Sequence, residues 1–217
     1  MKGLLVKDLR LLLGQKSNIL FMVIICVMLM FAGNGVAFGT TYMVVLAGIL
    51  GLGTVSYDAF ENGMAYLLTL PIQRKTYVFE KYLFIFLSGV LAAIVMSGIG
   101  LIFVEGSMQK DNITELFVSI AAALVIVAVM ISFMMPIQLK FGAEKSRIVI
   151  ALIAGALFMA VTIFIKIKDS LLETLQDEEL FIQITEKQLL LLGILGILIM
   201  VAVSMFISIK VLEHKEY

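Results

Sequence analysis

Asp58 and Glu61 stand three residues apart at the end of a long apolar run. That is the spacing of a reciprocal helix cap, in which the second acid reaches back to the amide of the first. It predicts a short helix over 58–70, because Pro71 disfavours helical geometry in the residue before it. The chemistry such a helix offers is recognition: Asp58 and Glu61 as cap and polar contact, and Met64, Leu67 and Leu68 as an apolar face for a partner's groove. Arg74 and Lys75 complete the contact. A second charged group, Lys140, Glu144, Lys145 and Arg147, follows Pro136. Both groups also fit a plainer reading, in which the cations set membrane orientation and Leu67 and Leu68 rest on lipid headgroups.

Catalysis has little to work with. His214 is the sole histidine, so neither a Ser-His-Asp arrangement nor an H-E-x-x-H zinc site can be assembled. Gly142, Lys145 and Ser146 resemble part of a phosphate loop, but the full G-x-x-x-x-G-K-[ST] pattern is absent. Cys26 is the single cysteine and reads as a small apolar packing residue.

The elements that must position these residues are set by the solvent. Hydrophobic residues form 62% of the 217-residue chain and charged residues 15%, far from the balance of soluble domains. A helix rising about 1.5 Å per residue needs about 20 apolar residues to cross about 30 Å of hydrocarbon. Six runs qualify, at 19–38, 40–56, 82–104, 116–136, 148–165 and 189–209, with Asn34, Gly35 and Gly39 marking the first reversal. The expected fold is all-α: a single polytopic transmembrane domain over 1–217, with an interfacial amphipathic helix at 1–16, a short cytosolic helix at 58–70 and an outer loop or helix at 166–187. In the first helix Leu5, Val6, Leu9, Leu12 and Leu13 take one face, and Lys7, Asp8 and Arg10 the other.

Lys2, Lys7, Arg10, Lys16, Arg74, Lys75, Lys81, Lys140, Lys145, Arg147, Lys210 and Lys215 fall on one side of these spans. Only Lys110, Lys166, Lys168 and Lys187 fall on the other, which places both termini in the cytosol. The formal net charge is +0, which gives no overall attraction to nucleic acid. No ionisable group lies inside a span, which weakens an ion-coupled transporter. Glycines at Gly48, Gly51, Gly53, Gly89, Gly98, Gly100, Gly193 and Gly196 allow close helix approach.

The run at 56–83, S-Y-D-A-F-E-N-G-M-A-Y-L-L-T-L-P-I-Q-R-K-T-Y-V-F-E-K-Y-L, resembles the segment after the second span in small bacterial ABC-2 type transporter permeases. The run at 136–147, P-I-Q-L-K-F-G-A-E-K-S-R, is similar to the loop between their fourth and fifth spans. The resemblance implies a plasma-membrane permease that pairs with a second copy or a related permease and with two separate cytosolic ABC ATPases. ATP and magnesium would be held by those partners and no cofactor by this chain. The 58–70 helix would act as the coupling helix, moved by the ATPase so that the attached spans tilt. Relatives of this size resemble exporters of amphipathic or antimicrobial peptides, such as phenol-soluble modulin exporters. A lipid or hydrophobic drug fits the aliphatic spans equally well, and so does an assembly or sensory subunit that docks an ATPase and passes nothing.

Overall fold

The computed structural model describes residues 2–60, 63–69, 73–103, 110–172 and 186–215. Every element there is helical: α1 (Lys2–Gly14), α2 (Lys16–Leu29) with a π-helical turn at Met30–Asn34, α3 (Gly35–Ala59), α4 (Gly63–Thr69), α5 (Arg74–Phe103), α6 (Lys110–Leu172) and α7 (Glu186–His214). Among the described residues, four helices are long and apolar enough to cross a membrane: Gly35–Ala59, Arg74–Phe103, Ile113–Gly142 and Gly193–His214. The pair Gly3–Gly14 and Lys16–Ala32 is together long and apolar enough to cross, but is bent by 70° at Gln15. The expected crossing at 148–165 falls in the later part of α6, where the backbone is helical and the side chains from 149 onward lie outside the described set. The chain is an all-α polytopic membrane protein. Of the outer element expected at 166–187, residues 173–185 lie outside the described residues.

Two helix boundaries differ from the expectation, and each difference has a backbone cause. The first reversal is made by Gly35, whose φ of 77° suits a residue without a Cβ. Gly39 lies inside α3, where a Cβ would come 2.5 Å from the Met30 side chain, so it serves close packing rather than turning. The helix expected to end at Pro136 runs through it and breaks at Gly142, with φ 75° and ψ 175°. A proline donates no bond to the carbonyl four residues back, here Ser132. That carbonyl instead accepts from the Ser204 hydroxyl of α7 at 2.5 Å.

α3 is the axis of the bundle, with 50% of its span buried against 11% for Gly193–His214. Its glycines explain how its neighbours come so near. Gly48 faces Val127 of α6, Gly51 faces Ile85 of α5, and Val36 of α3 fills the space a side chain at Gly100 of α5 would need. Lipid tails supply no hydrophobic drive between helices, so such close approach and interhelical hydrogen bonds hold the bundle. Among the described residues, nothing lies within 4 Å of where a Cβ would sit at Gly53, Gly98, Gly193 or Gly196.

Candidate functional site

Asp58 is not a cap. It lies in the last turn of α3 and is 7% exposed, with its side chain engaged inside the bundle. Its side chain turns inward because three donors meet it there. Lys7 Nζ of α1 is 2.6 Å from Oδ1, Lys81 Nζ of α5 is 2.8 Å from Oδ2, and the Tyr77 hydroxyl donates to Oδ2 at 3.0 Å. Glu61, the proposed second half of the cap, lies outside the described residues.

Lys81 is the hub of this joint. Its ammonium meets Asp8 Oδ2 at 2.5 Å, Asp58 Oδ2 at 2.8 Å and Thr54 Oγ1 at 3.0 Å, and it sits 5.5 Å from the centre of the Tyr77 ring. A lysine has three N–H donors, and three acceptors surround this one. Lys81 and Asp8 are both fully buried. A buried cation persists only when paired and hydrogen-bonded, so these contacts hold α1, α3 and α5 in one arrangement. The expected division of α1 into two faces is therefore not kept: of the polar face Asp8 is buried while Arg10 is exposed, and of the apolar face Val6, Leu9 and Leu13 are exposed.

The joint was hidden because its charges come from three separated segments, and each alone reads as a solvated anchor. One signal was present. Thr54 and Asp58, and likewise Tyr77 and Lys81, are four residues apart, which puts each pair on one helix face with complementary chemistry toward the other pair.

α4 corrects a second expectation. Met64 is 3% and Leu67 6% exposed, and both belong to the cluster that includes Leu52, Val78 and Leu4. They anchor α4 to the bundle and are not free for a partner's groove. The free side is Tyr66, 74% exposed, with Thr69. The Leu68 side chain lies outside the described set.

Arg74 is also engaged internally. Its guanidinium donates to the carbonyls of Leu212 at 2.8 Å and Glu213 at 2.6 Å, closing the C-terminal end of α7. Lys215 in turn donates to the Leu139 carbonyl at 3.1 Å, just before the break at Gly142. Lys75, Lys140 and Lys145 are exposed, and the Glu144 and Arg147 side chains lie outside the described set. Among the described residues no group of three or more His, Cys, Asp or Glu is placed to hold a metal ion. Cys26 is buried beside Met43, with its Sγ 3.9 Å from the thioether.

A second polar chain crosses the bundle deeper in. Because the Ser204 hydroxyl donates to the Ser132 carbonyl, the Tyr82 hydroxyl at 2.7 Å must donate to Ser204, which leaves the Ser208 hydroxyl at 3.1 Å to donate to Tyr82. α5, α6 and α7 are thereby linked beside Pro136.

A bundle with a small helix anchored between two of its spans, and with buried charges at the foot of those spans, has the parts of a mechanically driven membrane subunit. No curated protein and no solved structure matches the chain. A family described as "ABC-2 family transporter protein" matches residues 3–213, nearly the whole length. The chain belongs to the ABC-2 transporter family and is a membrane permease component of that class, a class that works with an ABC ATPase subunit.

Proposed function

We propose that this chain is the permease of an ATP-driven exporter in the plasma membrane, with its termini in the cytosol, and that it moves amphipathic or hydrophobic peptides. The observation that carries the mechanical part is the two-sidedness of α4. Met64 and Leu67 are sunk in the same apolar cluster as residues of α3 and α5, while Tyr66 stands clear. A force applied to the Tyr66 side is then passed by rigid packing to the spans on either side. Phe60, 63% exposed at the end of α3, and Lys75 at the start of α5 flank the same surface.

In this reading a cytosolic ATPase grips Tyr66, with Glu61 and Leu68 on the same short segment. Two ATPases and a second permease, a copy or a relative, complete the machine, and ATP and magnesium stay with the ATPases. The cluster at Lys140, Glu144, Lys145 and Arg147 is a second point of contact. The ionic joint on Lys81 carries the displacement on to α1. Peptide cargo is supported by the aliphatic span surfaces alone.

The test is reconstitution of the chain with a cognate ABC ATPase subunit. Tyr66→Asp should reduce ATPase co-purification at least tenfold while insertion and folding persist, as expected when one anchor of an interface core is lost. Unchanged association sinks the docking role. Vesicles carrying both subunits should move a labelled amphipathic peptide only with ATP, and ATP turnover without movement sinks the exporter reading.

A further inference from the structure

The joint contains one acid that its ion pairs do not use. Glu80 precedes Lys81 on α5, is 0% exposed, and has no hydrogen-bond partner at either carboxyl oxygen. Asp8 Oδ1 also lacks a hydrogen bond, although Lys7 Nζ is 3.3 Å away. The charged groups acting on Glu80 are Asp8 and Lys7 from α1, Asp58 from α3 and Lys81 from its own helix. The Tyr77 hydroxyl is committed to Asp58. The other helices packed on α5 at this end carry, among the described side chains, Lys140 and Lys145 on α6 and Lys210, Glu213 and His214 on α7, and all five are exposed. Arg74 is occupied by the end of α7.

Among the described residues, the charges therefore balance without Glu80. Lys7 and Lys81 are matched by Asp8 and Asp58 through direct contacts. An ionised Glu80 would add a surplus negative charge, out of water and without a donor, on the side of the joint where Asp8 already has a bare oxygen. A buried acid in that position takes a proton in preference to remaining charged.

We propose that Glu80 is a proton-binding site that latches α1 onto α5. While the helices are docked the carboxyl is neutral. When its O–H bond breaks, the electron pair stays on the carboxylate and the proton passes to solvent, and the new charge must be hydrated, which requires α1 to lift. Docking is thus favoured at low pH and weakens as pH rises. This inference concerns the joint alone and stands whether or not the chain exports peptides.

The experiment uses the full chain in lipid nanodiscs. A nitroxide is placed on Leu9→Cys, an exposed α1 position, in a Cys26→Ala background. With Glu80 intact, label mobility should rise along a single-proton curve as pH is raised, and Glu80→Gln should hold the label in its low-pH state throughout. Infrared difference spectra should show a protonated carboxyl band at neutral pH that Glu80→Gln removes. The latch is overturned if the mobility curve survives in Glu80→Gln, if no pH response exists with Glu80 intact, or if the carboxyl band is missing. It is equally overturned if Glu80→Gln fails to insert, since a neutral isostere should be welcome, or if chelator or added calcium reproduces the mobility change at fixed pH.

Discussion

The two ends of the bundle are held together by different physics. At the end that carries α1 and α4, α1, α3 and α5 meet through charged groups: Lys81 on Asp8 and Asp58, Lys7 on Asp58, and Tyr77 on Asp58. At the far end the contacts are glycine against aliphatic, as at Gly100 on Val36 and Gly39 on Met30. An apolar groove of about 260 Å³ opens there between α5 and α6, lined by residues such as Ala93, Ile94, Leu116 and Phe117. Directional bonds to buried charges allow one arrangement, whereas close-packed apolar faces tolerate small shifts until a methyl group collides. While α1 is docked, one end is held by directional bonds and the other by apolar close packing.

The most direct way to break this contrast is to remove the cation. Lys81→Met leaves two buried carboxylates facing each other and should cost about 3–5 kcal/mol, read by thermal unfolding in detergent. Adding Asp8→Asn and Asp58→Asn should return much of that loss, because neutral groups no longer repel. A loss below about 1 kcal/mol for Lys81→Met would mean the joint is not structural. The apolar end is probed by Gly100→Val, whose side chain must displace Val36, at an expected cost of about 1–3 kcal/mol. Val36→Ala should relieve it, while Gly98→Val, pointing into open space, should change stability by under about 0.5 kcal/mol.

Two smaller effects sharpen the boundary between the regions. Ser204→Ala strands the Ser132 carbonyl and should cost about 0.6–1.7 kcal/mol, the range for interhelical hydrogen bonds in a membrane. In that background Pro136→Ala should regain the loss, because a restored amide can satisfy the same carbonyl. Ser97→Ala, at the groove, should be silent within about 0.5 kcal/mol, since its hydroxyl bonds only the Ile94 carbonyl of its own helix.

The fold class was legible because length and apolarity alone decide which segments cross a bilayer, and this held for α3, α5, the first half of α6 and α7. The boundaries were less so. Gly35 and Gly39 look alike in the chain, yet one supplies a positive φ and the other a close contact, and only the neighbours distinguish them. Pro136 looks like a terminator until a hydroxyl from 68 positions later satisfies the carbonyl it frees. For the site, the presence of a small helix between the second and third spans was readable and its orientation was not. Asp58 has ideal cap spacing toward Glu61, but a local cap competes with two ammonium groups and a phenol, and charged partners win. Met64 and Leu67 were assigned outward because amphipathicity shows that a face is apolar without showing which neighbour it covers.

Pro136 has one more consequence. In most spans a missing backbone bond is the helix's own concern, repaired by its own side chains or by water. Here the repair is held by another span: Ser204 grips the Ser132 carbonyl, and Tyr82 grips Ser204. If the fourth crossing flexes at its proline, the last crossing must follow or surrender its hydroxyl to hydrocarbon. The weak point of one helix is thus a tendon to the next, and any bending of the pair is shared.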